Sequence, residues 1–278
     1  MTEPIRAGFI GLGSQGGPIA RRIADAGFPL TLWARRPASL EPFADTAAKV
    51  ASTPAELAAS SDVIGLCVRD DNDIREVTSG EDGVLAGVAP GTVIAVHSTV
   101  HPDTVRQLFV AAREMGAVVV DAPVSGGQPA AAAGRLLVMV GGDPGAIERC
   151  RPVFETFGDP VVHLGPLGAG QVTKLLNNTL FTAHLAVAAS LLQLGADLDV
   201  DAARLAQVLG HGSGASFALA RVADAGGTLD RIGGHAGPLL AKDVRLTAAV
   251  AAAAGIDVSA NPVVSAADAA LALMNVPR

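Results

Sequence analysis

Short apolar runs alternate with amphipathic stretches through the first 165 or so residues of this chain, and then the apolar runs stop. The runs are AGFIGLG, PLTLWA, DVIGLCV, TVIAVHS, AVVVDAP and RLLVMVGG. Several are apolar at successive positions, the pattern of strands covered by helices on both faces. Between them, segments such as GPIARRIADAG and HPDTVRQLFVAAREMG place apolar residues at helical spacing. This β-α-β rhythm predicts a doubly wound α/β domain built on a parallel sheet. After HLGPLGAG, residues 163–170, the chain reads as helices over 170–195, 200–210, 214–225, 237–254 and 260–274. The composition change sets the expected division at 1–166 and 167–278.

The first strand runs directly into GLGSQG, where Gly11, Gly13 and Gly16 form G-x-G-x-x-G at the opening of a helix. In that setting each glycine has a mechanical task. The first makes a tight turn, the second lets the backbone approach a pyrophosphate, and the third permits close helix–sheet packing. Amides along the loop, through Leu12, Ser14 and Gln15, then meet negative charge at a helix N-terminus. The second strand ends in LWARRPAS. A site for NAD usually carries an acid about 20 residues after the loop, to hold the ribose 2′-hydroxyl. Here that place holds Arg35 and Arg36, and no acid follows before Glu41. A guanidinium can pair with a 2′-phosphate through two hydrogen bonds. The expected cofactor is NADP(H) in preference to NAD(H), with solvated surface arginines as the plain alternative.

One lysine, Lys174, stands in GAGQVTKLLNN at the head of a segment that otherwise reads as a buried helix. Helical spacing puts Lys174, Asn178, Phe181 and Leu185 on one stripe, polar at its start and apolar beyond. Desolvation lowers a lysine pKa, as does a nearby positive charge such as an oxidised nicotinamide. A lysine so tuned exchanges a proton near neutral pH, and Asn178 could hold it or a substrate hydroxyl. A snorkelling lysine with a wet head is the bland reading.

Bulk properties remove other classes. Net charge is −7, against a nucleic-acid binder. Cys67 and Cys150 form neither a disulfide framework nor a metal cluster, and no His, Asp and Glu set has ligand spacing, so no metal is expected. The run from Leu175 to Ala196 is long enough to span a bilayer but is interrupted by Asn177, Asn178, Thr179, Thr182, His184, Ser190 and Gln193. A core helix, no membrane and a cytoplasmic location are the expectation.

With these motifs in place, the chain resembles the β-hydroxyacid dehydrogenases, the family of 3-hydroxyisobutyrate dehydrogenase and tartronate semialdehyde reductase. The likeness rests on GLGSQG, the Ser-Thr of HSTVHP, DAPVSGG followed by GRLLVMVGG, GAGQVTKLLNN and AKDVRL, in matching order and spacing. It implies a Rossmann domain, a long interdomain helix, and a helical domain that binds substrate and pairs subunits into a homodimer or homotetramer. By motif position it makes Lys174 the general acid/base and Asn178 its partner. It assigns Ser125, Gly126 and Gly127 to the carboxylate of a small substrate, and Thr99, Lys242, Val68 and Arg69 to the cofactor. The reaction implied is hydride transfer between NADP(H) and a small β- or γ-hydroxy acid or its semialdehyde. Departures from the family pattern fall on the pocket wall: Gln15 for a methionine, His97 for an acid, His235 for an aromatic, and His211 before the GSGAS loop. Phe217 is the one obvious aromatic expected near the pocket. An imine reductase on the same scaffold is the enzymatic alternative, although such relatives often replace the lysine. A silent NADP-binding module is the non-enzymatic one. For Lys242, an exposed ion pair with Asp243, worth little energetically, is the plain alternative to a place against the cofactor.

Overall fold

The computed structural model describes residues 4–278, which divide into one compact unit ending at Lys174 and a second spanning Leu175–Arg278. The first contains β1 (Ala7–Ile10), α1 (Gly16–Asp25), β2 (Leu30–Trp33), β3 (Lys49–Val50), α2 (Pro54–Ala59), β4 (Val63–Leu66), α3 (Asp71–Thr78) and α4 (Val84–Gly87). It continues through β5 (Val93–Val96), α5 (Pro102–Glu114), β6 (Val118–Asp121), β7 (Val124–Ser125), α6 (Gly127–Ala132), β8 (Leu136–Val140), α7 (Pro144–Phe154) and β9 (Gly158–His163). Helix α8 (Ala169–Asp197) begins in this unit, and the second adds α9 (Ala202–His211), α10 (Phe217–Asp224), α11 (Asp230–Ala253) and α12 (Pro262–Leu273).

Six strands form a parallel sheet in the order β3-β2-β1-β4-β5-β6. Chain direction across the sheet reverses between β1 and β4, the switch point at which such sheets open a crevice beyond their carboxyl ends. Both faces are buried. Phe9, Leu32, Ala95 and Val120 look into one apolar cluster, and Ile10, Ile64, Ile94 and Val119 into another. That is why these strands lack polar alternation.

RLLVMVGG forms a strand as read, but outside the parallel sheet: β8 lies between antiparallel β7 and parallel β9 in a separate three-stranded sheet. Periodicity alone cannot tell one sheet from another. Strands β3 and β7 have only two residues each, and β9, GDPVVH, is largely exposed, so none carried a readable signal.

In the second unit, α11 begins at Asp230, seven residues before the segment expected from the sequence, and runs through Pro238. A proline inside a helix removes one hydrogen bond and crowds the preceding turn. Packing outweighs it here. A Cβ on Gly233 would lie 3.0 Å from Met274, and one on Gly237 2.7 Å from Val276, so these glycines hold the first turns of α11 against the end of the chain. Ala183, Leu185, Ala186, Ala188 and Leu192 of α8 meet Leu219, Val222, Leu240, Val244 and Leu271 in the core of this unit.

Candidate active site

The glycine loop separates into parts required by the fold and a part that is not. A Cβ on Gly11 would stand 2.2 Å from the Cys67 carbonyl oxygen, and one on Gly16 would stand 1.9 Å from that of Gly11. Gly11 also has φ +98°, which favours glycine. A Cβ on Gly13 meets nothing within 4 Å. Nothing in the protein demands glycine there; an approaching ligand would. Beside it, the Nε2 of Gln15 is buried without a hydrogen-bond partner among the described residues. An open glycine and an orphaned donor at a helix start fit a dinucleotide pyrophosphate.

The other loops at the carboxyl ends of the strands are tied to one another. The Val68 amide donates to Ser98 Oγ at 2.8 Å. Asp70 caps α3 by accepting from the amides of Asn72 and Asp73. Arg69 is exposed and Thr99 half-buried. Arg35 donates to Glu76 and Asp73 of α3, whereas the Arg36 side chain has no partner among the described residues. Ser125 ends β7, and Gly126 and Gly127, with φ of +132° and +73°, lead into α6 as an exposed turn. Successive amides in such a turn can form a concavity for a carboxylate.

The start of α8 is clamped by two residues to which the sequence reading gave no role. Asp121 at the end of β6 is fully buried and accepts from the amides of Gly168 and Gln171, both at 2.7 Å. Burial pushes its carboxyl above the usual range, opposed by those backbone donors. The side chain of Gln171 donates to the Ser98 carbonyl at 2.8 Å and accepts from the Val100 amide at 3.0 Å. Lys174 follows one turn later and is only 8% exposed, which removes the reading of a lysine with a wet head. The initial Asp of DAPVSGG and the Gln of GAGQ were in view, but only the fold brings β6 and the loop after β5 to the same helix end.

Within the second unit, Asn178 Nδ2 donates to Asp243 Oδ2 at 2.5 Å, and Lys242 Nζ lies 3.0 Å from Asp243 Oδ1. The two side chains of the Lys242–Asp243 pair are 14% and 5% accessible, which removes the alternative of an exposed ion pair. Asp243 Oδ1 makes no hydrogen bond among the described residues, and its contact with Lys242 is an ion pair. Thr247 continues the network, donating to the Asp243 carbonyl and sharing a 2.7 Å hydrogen bond with Thr179.

His97, a departure from the family pattern, does not face a pocket. It is buried against Phe9, Phe154 and Phe157, donating Nδ1–H to the Ala122 carbonyl at 2.8 Å. Burial pushes its pKa down to about 4 and keeps the ring neutral. His211 and His235 are exposed. Phe217 is 64% exposed, with the Phe181 ring 5.8 Å away and Arg221 over its face. Burial pushes the thiols of Cys67 and Cys150 up to about 12, as befits residues that fill space.

Residues 6–165 match the family model described as the NAD binding domain of 6-phosphogluconate dehydrogenase. Residues 168–274 match that described as NAD-binding of NADP-dependent 3-hydroxyisobutyrate dehydrogenase. The NAD-dependent L-serine dehydrogenase of Pseudomonas aeruginosa is 36% identical over 245 residues, covering 86% of this chain and 82% of the relative. The chain belongs to the β-hydroxyacid dehydrogenase family. Members of this family named among its relatives are dehydrogenases of hydroxy acids, and this chain is an NAD(P)-dependent enzyme acting on CH–OH groups. Among solved structures, a Mycobacterium tuberculosis 3-hydroxyisobutyrate dehydrogenase with L-serine superposes with TM-score 0.82 at 28% identity, over 96% of this chain and 92% of that one. A protein named Psf3, in complex with NADP+ and 2-OPP, has the same TM-score at 26% identity, over 94% and 91%.

Proposed function

We propose that this β-hydroxyacid dehydrogenase transfers hydride between NADP(H) and a small hydroxy acid, or its semialdehyde, with Lys174 as general acid/base. The observation that carries this is Lys174 itself: a buried lysine one turn past a helix start held by Asp121 and Gln171. The clamp fixes the helix turn from which the Lys174 side chain projects. A bound nicotinamide supplies the hydride or accepts it. Lys174 gives a proton to the forming alkoxide in reduction and removes one from the hydroxyl in oxidation. Asn178, its amide oriented by Asp243, orients the substrate oxygen. Ser125 and the Gly126–Gly127 turn hold the carboxylate and so select which carbon faces the nicotinamide ring. Gly11 to Gly16 cradle the pyrophosphate, with Val68, Arg69, Thr99 and Lys242 along the cofactor.

The relatives' names support a 3-hydroxy carboxylate as substrate, since both 3-hydroxyisobutyrate and L-serine carry the hydroxyl on the β-carbon. They are divided on the cofactor: one relative is named as NAD-dependent, and one neighbour holds NADP+. Arg35 and Arg36, in the place of an acid, are the reason for assigning NADP(H). Changing both to neutral residues should weaken NADPH binding much more than NADH binding, and equal loss would remove that assignment. Lys174→Ala should abolish turnover of 3-hydroxy acids while leaving NADPH binding nearly intact. Turnover that survives would place the acid/base elsewhere.

The assembly we propose is a homodimer or homotetramer formed through the helical unit, in the cytoplasm. Supporting it, α9 has no buried residue despite being amphipathic. Leu176, Leu180, Val187, Leu191 and Leu194 are all at least 43% exposed and recur at helical spacing along α8, and exposed Leu198 follows directly after it. An apolar stripe of this length is the face a second copy would cover, and it accounts for the apolar length of α8 without a membrane.

A further inference from the structure

Two adjacent arginines occupy the place at the end of β2 where the ribose of a bound dinucleotide would be read, and the structure treats them differently. Arg35 Nη1 donates to Glu76 Oε2 at 3.2 Å, and Arg35 Nη2 to Asp73 Oδ1 at 3.4 Å. Asp73 is itself anchored, because its other oxygen accepts from the Arg69 amide at 3.2 Å and its side chain is only 18% accessible. Arg36 is exposed, and its guanidinium has no ion pair or hydrogen bond among the described residues. Its backbone is nevertheless constrained. Pro37 follows, which disfavours the helical region for the preceding residue, and Arg36 is extended at φ −111°, ψ 113°.

We infer that Arg36 is the residue that discriminates a 2′-phosphate, and that Asp73 and Glu76 of α3 limit this discrimination by holding Arg35 back. The inference rests on the NADP(H) reading above and assigns its parts. For Arg35 to pair with a 2′-phosphate it must either leave two carboxylates or bring a dianion up to them. Both oppose binding. Arg36 has all five N–H donors available on a backbone already fixed in place, so a phosphate gains its charge-assisted hydrogen bonds there without breaking others. A cofactor without the 2′-phosphate meets no such repulsion. The two acids therefore narrow the gap between NADP(H) and NAD(H), and this chain is built for preference without strictness.

The test measures binding by calorimetry on the full chain, with adenosine 2′,5′-bisphosphate and 5′-AMP as probes, so no turnover is involved. The wild type should prefer the bisphosphate. Arg36→Ala should reduce that preference by ~10-fold or more, with 5′-AMP affinity unchanged, whereas Arg35→Ala should leave it within ~2-fold. Asp73→Asn with Glu76→Gln should raise the preference by ~3- to 10-fold, through a freed Arg35 and lost repulsion. Glu76→Gln alone, at an exposed position where folding is not at stake, should raise it by ~2-fold. A lesion that merely loosened the loop would not increase discrimination. Loss of preference in Arg35→Ala but not in Arg36→Ala would overturn the inference while leaving the NADP(H) reading intact. No gain in either acid variant would overturn the part assigned to Asp73 and Glu76. A wild type that binds the two probes equally would sink the NADP(H) reading, and the inference with it.

Discussion

His97 should make the N-terminal unit sensitive to mild acid, and the size of the effect follows from its surroundings. The ring is enclosed by Phe9, Phe154 and Phe157, whose centroids lie 5.9, 5.5 and 5.5 Å away, and it donates to Ala122 O. Burial lowers its pKa from 6.5 to about 4. The unfolded chain takes up a proton near pH 6.5 that the folded chain refuses until about pH 4. This contribution to stability is therefore full above pH 6.5 and is lost as pH falls through that window. The linkage relation gives a loss of about 2 kcal/mol between pH 7.5 and pH 5, and about 3 kcal/mol by pH 4. Asp121, whose pKa is raised, acts with the opposite sign, since its stabilisation is fullest at low pH and lost as pH rises. It contributes equally to wild type and to a His97 variant, so the difference between the two isolates the histidine. His97→Phe keeps a ring in the aromatic cluster but cannot titrate. It should be less stable at pH 7.5 by about 1–2 kcal/mol, because Ala122 O loses its donor, yet lose about 2 kcal/mol less than wild type on acidification. Urea unfolding followed by Trp33 fluorescence is suited to this: Trp33 is the one tryptophan and lies in β2 of the same unit. Parallel stability curves for the two proteins between pH 7.5 and 5 would refute the reasoning.

Gly13→Ala should fold with an unchanged melting temperature and bind NADPH at least ~10-fold more weakly, because the space its Cβ enters is needed by the ligand and not by the protein. Gly16→Ala should instead lower the melting temperature, since its Cβ would collide with the Gly11 carbonyl. Asp243→Ala, which frees the Asn178 amide and removes the carboxylate beside Lys242, should cost about 1–3 kcal/mol in the helical unit. It should also lower kcat more than it raises KM; an unchanged kcat would remove Asp243 from any role in placing Asn178. Leu194→Glu combined with Val208→Glu should convert the assembly to monomer in sedimentation at micromolar concentration. A dimer that survives both charges would place the interface elsewhere.

Much of this enzyme is legible in one dimension because its signals are local. A continuously apolar strand must be covered on both faces, a G-x-G-x-x-G after such a strand must turn sharply, and a helix announces itself by its period; these settle the doubly wound sheet and the helical region that follows. Lys174 was visible for a related reason, as a charge at the head of an apolar run. What tertiary structure alone decided depends on residues far apart in the chain. Asp121 and Gln171 are 50 positions apart and Asn178 and Asp243 are 65 apart, so neither pairing leaves a trace in local periodicity. The same holds for Arg35, whose charge is taken up by acids some 40 residues on, while its neighbour Arg36 is left available. His97 reads as a departure on the pocket wall until the fold surrounds it with three phenylalanines. Sequence sets which groups carry charge and which elements form. Burial and partnership, which decide what each charge can do, are set when distant segments meet and water is excluded from between them.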